Sequence, residues 1–313
     1  MPQDSHPGRP LQVGLVLPMS EGMVAGSTAR WSDLEALARA AEDFGFGSLW
    51  VFDHFIQSWR DGSARESGCW ECWSILAALA ATTERIALGS WVAGTGFRNP
   101  ALLAKMADTV DEISGGRLIL GLGAGYLERE YRAFGYPYDH RATRFEEALA
   151  IIQPLLRDGR VDFAGTYYQA RDCELRPRGP SRQGPPLLFG TSGPRGLRLA
   201  ARYADIWNAA WTRLEECVAF RPRVDAACVE AGRNPTTLAR SAGLQIEVPG
   251  AAPYPTGYTN WGVPALTGTP EELASYFRNF LREGYSHLQL WVNPTTVAGF
   301  EHVAEALALL DRG

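Results

Sequence analysis

The chain has 313 residues, 46% of them hydrophobic and 11% aromatic, with a net charge of −5. That length can bury a large core and suits one barrel-sized domain over residues 1–313 as well as two smaller ones. The acidic balance without a basic stripe speaks against a nucleic-acid partner, and no apolar run approaches the ~18 residues that a membrane span needs.

The first apolar run, LQVGLVL (11–17), is short, β-branched and ended by Pro18, so it reads as a buried strand. Ser32 is placed to cap the amphipathic stretch that follows, with Glu35 at the capping-box position and Gly45 at its end. A second strand near SLWVFD (48–53) precedes a helix within 70–83. The third, IALGSWVA (86–93), precedes a helix over 100–113, and the fourth, RLILGLG (117–123), one near 142–157. The stretch from Val161 to Pro177 reads as an added hairpin around Gly165. Strand five is PLLFGT (186–191), with Pro194 at the first position of the next helix. Strand six is DIWNAA (205–210), followed by a helix near 213–231, and strand seven is GLQIEV (243–248). A Pro/Gly/Tyr-rich segment, 249–268, reads as an insertion. Thr269 and Glu272 then form a capping box, strand eight is HLQLWVN (287–293), and a last helix runs over about 296–311.

Eight strands alternating with eight helices imply parallel pairing with right-handed crossovers. An α/β fold closed as a (β/α)8 TIM barrel is the economical outcome, with an open doubly wound sheet as the alternative. In a barrel the active site lies in the loops after the strands. Those loops carry Trp59, Trp70, Tyr126, Tyr131, Tyr136, Tyr138, Tyr254, Tyr258 and Trp261, a bias that suits a planar or bulky ligand.

Several strand ends hold groups that can do chemistry. Asp53 and His54 end strand two and could orient a proton donor or base, or tie down the barrel rim. Gly89, Gly94 and Gly96 after strand three allow a close backbone approach or a tight turn. Gly121, Gly123 and Gly125 superficially resemble a dinucleotide fingerprint, but the acidic residue expected after the next strand is missing; small residues there also leave room for a flat ring. Gly190, Thr191, Ser192 and Gly193 before Pro194 offer more donors at a helix start than a simple cap needs, which points to a phosphate cradle.

Five cysteines, Cys69, Cys72, Cys173, Cys217 and Cys228, stand at irregular spacing and make a poor disulfide framework. Cys69-Trp-Glu-Cys72 has no second pair at zinc spacing, so no metal is expected. His140 and His287 lack ligand-spaced partners and read as structural. MPQDSHPGRP has no signal-peptide pattern, so a cytoplasmic, reducing location is the expectation.

Together LWVFDHF, RIALGSWVAGTGFRNPALLAKMADTVDEISGGRLILGLGAGYLEREYRAFG, RFEEAL, PPLLFGTSGPRGLRLAARYADIWN and GTPEELASYFRNFLREGYSHLQLWV resemble the bacterial-luciferase-like superfamily of flavin- and deazaflavin-dependent oxidoreductases. The match is specific because several separated motifs agree in order over nearly the whole chain. The resemblance implies that Asp53 and His54 contact the cofactor ring as the catalytic pair. It also implies that Trp91–Val92 is a non-prolyl cis peptide supporting the ring from behind, beside Gly94. Ala124 and Gly125 match the turn after strand four that contacts ring or tail, and Thr191, Ser192 and Gly193, with Gly190, the phosphate segment. Trp59 matches, with shifted spacing, a catalytic-site aromatic of some members. Tyr126 stands where some sugar-oxidising members place a carboxylate. GLGAGYLEREYRAFGYPYDHRATRFEEAL and the arginine-rich composition (Lys105 is the one lysine) are most similar to the actinobacterial deazaflavin group. The implied cofactor is coenzyme F420, with FMN and peroxyflavin monooxygenation as the alternative. A small-molecule substrate and a homodimer are the partners the resemblance implies.

Overall fold

The computed structural model describes residues 9–24, 26–58, 65–210, 212–252 and 263–312. Eight parallel strands form a ring: Gln12–Val16, Ser48–Val51, Ala87–Ser90, Leu118–Gly123, Leu187–Gly190, Ile206–Ala209, Ala239–Glu247 and His287–Asn293. They are called strands one to eight below. The ring closes because strand one pairs with both strand two (Gly14 opposite Ser48) and strand eight (Gln12 opposite His287), while strand four pairs with strand five (Leu120 opposite Leu187). An open sheet would leave two of these strands unpaired on one side, so closure decides for the barrel. Strands two, three and four are buried at every position, as the unbroken apolar runs require when one face looks into the barrel and the other onto helices.

The helices are α1 (Trp31–Asp43), α2 (Cys72–Thr82), α3 (Pro100–Ser114), α4 (Glu128–Phe134), α5 (Arg141–Asp158), α6 (Pro194–Tyr203), α7 (Leu214–Glu230), α8 (Pro270–Arg282) and α9 (Val297–Asp311). The Thr269–Glu272 box forms as the sequence predicts: the Thr269 N–H donates to Glu272 Oε2 (2.8 Å) and the Glu272 N–H to Thr269 Oγ1 (3.3 Å). Pro194 is the first residue of α6. The cap of α1 differs. The helix begins one residue before Ser32, at Trp31, and Asp33 rather than Glu35 accepts the Arg30 N–H (2.8 Å). Strand seven begins at Ala239, four residues before the apolar run, because Ala239 and Arg240 pair with strand six.

The connections between strands and helices carry further elements. Ile56–Ser58 pairs antiparallel with Glu66–Gly68 in the loop after strand two, and α4 lies in the loop after strand four; neither has a clear sequence signal. The hairpin of Arg160–Ala164 with Gln169–Glu174 does, and it forms. One close approach fixes the geometry beneath the site. A Cβ at Gly121 would sit 1.9 Å from the Ser90 carbonyl oxygen, so only glycine lets strands three and four meet there. Ser90 Oγ closes that contact by donating to the Gly121 carbonyl (2.9 Å) and accepting its N–H (3.0 Å).

Candidate active site

A cavity of about 470 Å³ opens at the C-terminal ends of the strands. Phe52, Asp53 and His54 reach it from strand two, Trp91, Val92 and Gly94 from strand three, and Ala124, Gly125 and Tyr126 from strand four. Gly190 and Thr191 follow from strand five, Asn208 from strand six and Trp291 from strand eight. Most of the residues singled out by sequence therefore line one cavity.

The floor is aromatic and aliphatic. Phe52 and Trp291 stack at 5.9 Å with nearly parallel planes. The Trp91–Val92 peptide is cis, as the family resemblance implied. Trp91 Nε1 donates to Asn208 Oδ1 (3.0 Å), and Asn208 Nδ2 donates to Ser241 Oγ (2.9 Å) and Gln289 Oε1 (2.8 Å). Asn208 thereby anchors the indole edge from inside the barrel, where an unpaired amide would be costly. The glycines around this floor serve the protein's own side chains. A Cβ at Gly89 would enter the Trp50 ring, one at Gly94 the Phe97 ring, and one at Gly123 would meet Val92 Cγ2 at 2.7 Å. Gly125 has φ +70° and its missing Cβ would lie 2.0 Å from Tyr131 Oη, which in turn donates to the Ala124 carbonyl (3.0 Å).

Asp53 does not hold His54. Its carboxylate receives the Gly94 N–H (2.9 Å) and a two-pronged pair from Arg98: Nη1 to Oδ2 at 2.6 Å and Nη2 to Oδ1 at 2.9 Å. Arg98 Nη2 also donates to Glu71 (2.7 Å), whose carboxylate caps α2 through the N–H groups of Trp73 and Ser74. Burial pushes the Asp53 carboxyl up, against the pull of Arg98 and Gly94. Burial also pulls the Arg98 guanidinium down, but Asp53 and Glu71 together hold Arg98 above its ordinary value.

His54 is held instead by Glu130, a residue that the sequence did not single out. His54 Nδ1 lies 2.9 Å from Glu130 Oε2, and the other oxygen accepts the N–H groups of Phe55 (2.5 Å) and Ile56 (3.0 Å). The Glu130 side chain is 1% exposed and that of His54 17%. Tyr126 meets the imidazole edge-on, with ring centroids 5.4 Å apart. The signal for Glu130 was faint: an acidic residue in the first turn of a seven-residue helix usually just faces solvent.

The phosphate segment divides. Gly190 and Thr191 line the cavity, Ser192 faces an adjoining one of about 380 Å³ beside Trp207 and Phe220, and Gly193 is the N-cap of α6 and lines neither. Arg195 and Gly196 take its place in the wall. Arg195 donates to Thr143 Oγ1 (3.2 Å) and Glu146 (2.5 Å) and borders a groove shared with Tyr138, His140 and Arg141. Of the loop aromatics, Tyr126 lines the cavity; Tyr131 is fully buried against Phe97 and Tyr138 and shapes the loop from behind. Trp59, Tyr254, Tyr258 and Trp261 lie outside the described residues.

Nothing in the cysteines suggests redox or metal chemistry. All five are free; burial pushes the Cys69 thiol up to about 12 and raises Cys72, the first residue of α2, well above its usual value. Among the described residues no group of His, Cys, Asp and Glu could hold a metal ion, and no helix is long and apolar enough to cross a membrane.

A family model described as luciferase-like monooxygenase matches residues 11–248. An F420-dependent hydroxymycolic acid dehydrogenase of Mycobacterium tuberculosis is 34% identical over 222 residues, which are 69% of this chain and 59% of that protein. An F420-dependent glucose-6-phosphate dehydrogenase of Beutenbergia cavernae is 36% identical over 248 residues, 75% of this chain and 70% of the relative. The chain thus spans little more than half to about two thirds of the curated relatives it matches. Among solved structures, an F420-dependent secondary alcohol dehydrogenase in complex with an F420-acetone adduct superposes with a TM-score of 0.78 at 20% identity. The match covers 96% of this chain and 99% of that one.

Proposed function

This chain belongs to the luciferase-like monooxygenase family, and from that premise we propose that it is an oxidoreductase. It transfers a hydride between the deazaflavin coenzyme F420 and a small, bulky or planar organic substrate. The observation that carries the reading is one cavity with an apolar aromatic floor, a histidine paired with a buried carboxylate at one side and Thr191 with Arg195 at another. F420-dependent relatives at 34% and 36% identity support deazaflavin over FMN.

The residues present fit such a group. A flat ring needs an apolar slot, which Phe52, Val92, Phe189 and Trp291 line. A phosphate needs unshielded N–H groups and a cation. A Cβ at Gly193, the N-cap, would meet nothing within 4 Å, so the chain is open just before α6, and Arg195 stands on the first turn of that helix. When bound, the deazaflavin supplies the hydride-carrying carbon at ring position 5. Trp91 and Val92 would support the ring, with Asp53, Gly94, Ala124 and Gly125 shaping its edges. Gly190 and Thr191, with Ser192 and Gly193 behind them, would hold the phosphate beside Arg195. His54 would take or give the balancing proton, and Tyr126 would restrict water and substrate beside it.

The test is binding followed by turnover. F420 should quench or shift protein fluorescence on titration, and hydride transfer should proceed without oxygen. His54→Ala should cut turnover by about 10²–10⁴-fold while F420 still binds. Oxygen-dependent product formation with reduced FMN alone would overturn the deazaflavin reading, and unchanged turnover in His54→Ala would remove that residue from the reaction.

A further inference from the structure

We propose that Glu130 is a positioning residue that fixes the tautomer of His54, placing the imidazole proton on Nδ1 and presenting Nε2 to the cavity as a proton acceptor. The tautomer follows from the protein's own hydrogen bonds; its catalytic consequence rests on the reading of His54 as the proton partner.

Glu130 Oε1 accepts two backbone N–H groups, from Phe55 at 2.5 Å and Ile56 at 3.0 Å. Two donors converging on one oxygen favour the carboxylate form and leave Oε2 as an acceptor. The remaining partner of Oε2 is His54 Nδ1 at 2.9 Å. An acceptor on the carboxylate demands a donor on the ring, so in the neutral imidazole Nδ1 carries the proton. Nε2 is then the unprotonated nitrogen, and it makes no hydrogen bond among the described residues, while His54 lines the cavity. Asp53 does not do this work: its hydrogen bonds go to Gly94 and Arg98. Three elements converge: α4 brings the carboxylate, the end of strand two brings the ring, and the start of the 56–58 strand brings the N–H groups that orient it.

Glu130→Gln separates tautomer from shape. The amide keeps the size of the carboxylate. Its oxygen must still face the Phe55 and Ile56 N–H groups, so its NH₂ is forced toward His54 Nδ1. A donor there requires Nδ1 to accept, and the proton moves to Nε2. The ring keeps its place and loses its acceptor, the same inversion that disables a histidine whose orienting aspartate becomes asparagine.

The experiment uses the ligand-free 313-residue chain with ¹⁵N-histidine, at a pH about two units above the ordinary imidazole range near 6.5. The chain has five histidines, and His54→Gln identifies the signal. Two-bond ¹H–¹⁵N correlation should show wild-type His54 protonated on Nδ1 and the Glu130→Gln ring protonated on Nε2. With F420 and substrate, Glu130→Gln should lower kcat by about 10²–10⁴-fold with F420 affinity nearly unchanged. An Nε2–H or doubly protonated His54 in the wild type overturns the proposal, as does a tautomer unaltered by Glu130→Gln. Should Glu130→Gln fail to fold, the wild-type spectrum alone still decides. Because that spectrum needs no cofactor, a failure of the F420 reading leaves it standing, and the reverse holds too.

Discussion

Removing Arg98 should expose how much of the site depends on a single buried ion pair. Its guanidinium is 9% exposed and the Asp53 carboxylate 1%. In Arg98→Leu, Asp53 keeps one of its three donors, the Gly94 N–H, and becomes an uncompensated buried charge. Breaking a pair of this kind costs about 3–5 kcal/mol. At roughly 2 °C per kcal/mol for a chain of this size, Tm should fall by about 6–10 °C. Glu71, 39% exposed and still capping α2, adds little to that loss. Burial already pushes the Asp53 carboxyl up, and losing Arg98 pushes it further. The deficit should therefore be largest at neutral pH and shrink on acidification, because a protonated Asp53 needs no cation. Adding Asp53→Asn to Arg98→Leu should recover more than half of the lost stability. Urea unfolding followed by circular dichroism, at pH 7.5 and pH 5, measures all three proteins. A cost under about 1 kcal/mol for Arg98→Leu, or a double variant no more stable than the single one, would refute the assignment of Arg98 as the counter-charge that makes Asp53 tolerable.

Two further outcomes can be checked with the same unfolding assay. His287 is buried beside Ser48, with Nε2 2.7 Å from Ser48 Oγ, and burial pulls its pKa from 6.5 to about 4. Its folded form stays neutral while the unfolded chain takes up a proton, so stability is full above pH 6.5 and drains away as pH falls toward 4, by about 3 kcal/mol in all. His287→Gln should lack that acid-side loss, and parallel pH profiles for the two proteins would contradict it. Gly121→Ala should destabilise by at least about 1–3 kcal/mol, since its methyl would press on the Ser90 carbonyl, a backbone atom that cannot swing aside. A midpoint within error of wild type would show that strands three and four can separate there.

The barrel was legible because its signal is repetitive. Eight short apolar runs bounded by glycine, proline and caps survive a misjudged cap at Ser32 or a strand that starts four residues early at Ala239. His54 and Thr191 were legible for the same reason, since once a strand is known its end is known, whereas Trp91 and Ala124 were indicated by the family resemblance. Contacts made across the chain were not. Glu130 meets His54 only because α4 folds back over the end of strand two, and Arg98 reaches Asp53 over 45 residues. The glycine strings misled in a physical way. They leave room, as expected, but Trp50, Phe97 and Tyr131 occupy much of it. The sequence points to one cradle over Thr191–Gly193, yet these residues precede α6 in non-helical backbone that sends neighbouring side chains different ways: Thr191 borders both cavities and Ser192 only the adjoining one.

The closure of strand one on strand eight and of strand four on strand five also governs how copies of the chain can meet. Every strand of the ring has neighbours on both sides, so the ring offers no row of unsatisfied main-chain groups on which a foreign strand could grow. The most strand-prone sequences of the chain are thus withdrawn from aggregation by geometry, without needing charged guards along their edges. Any lasting association through this part of the molecule must instead be made side chain to side chain, on the helices that sheathe it.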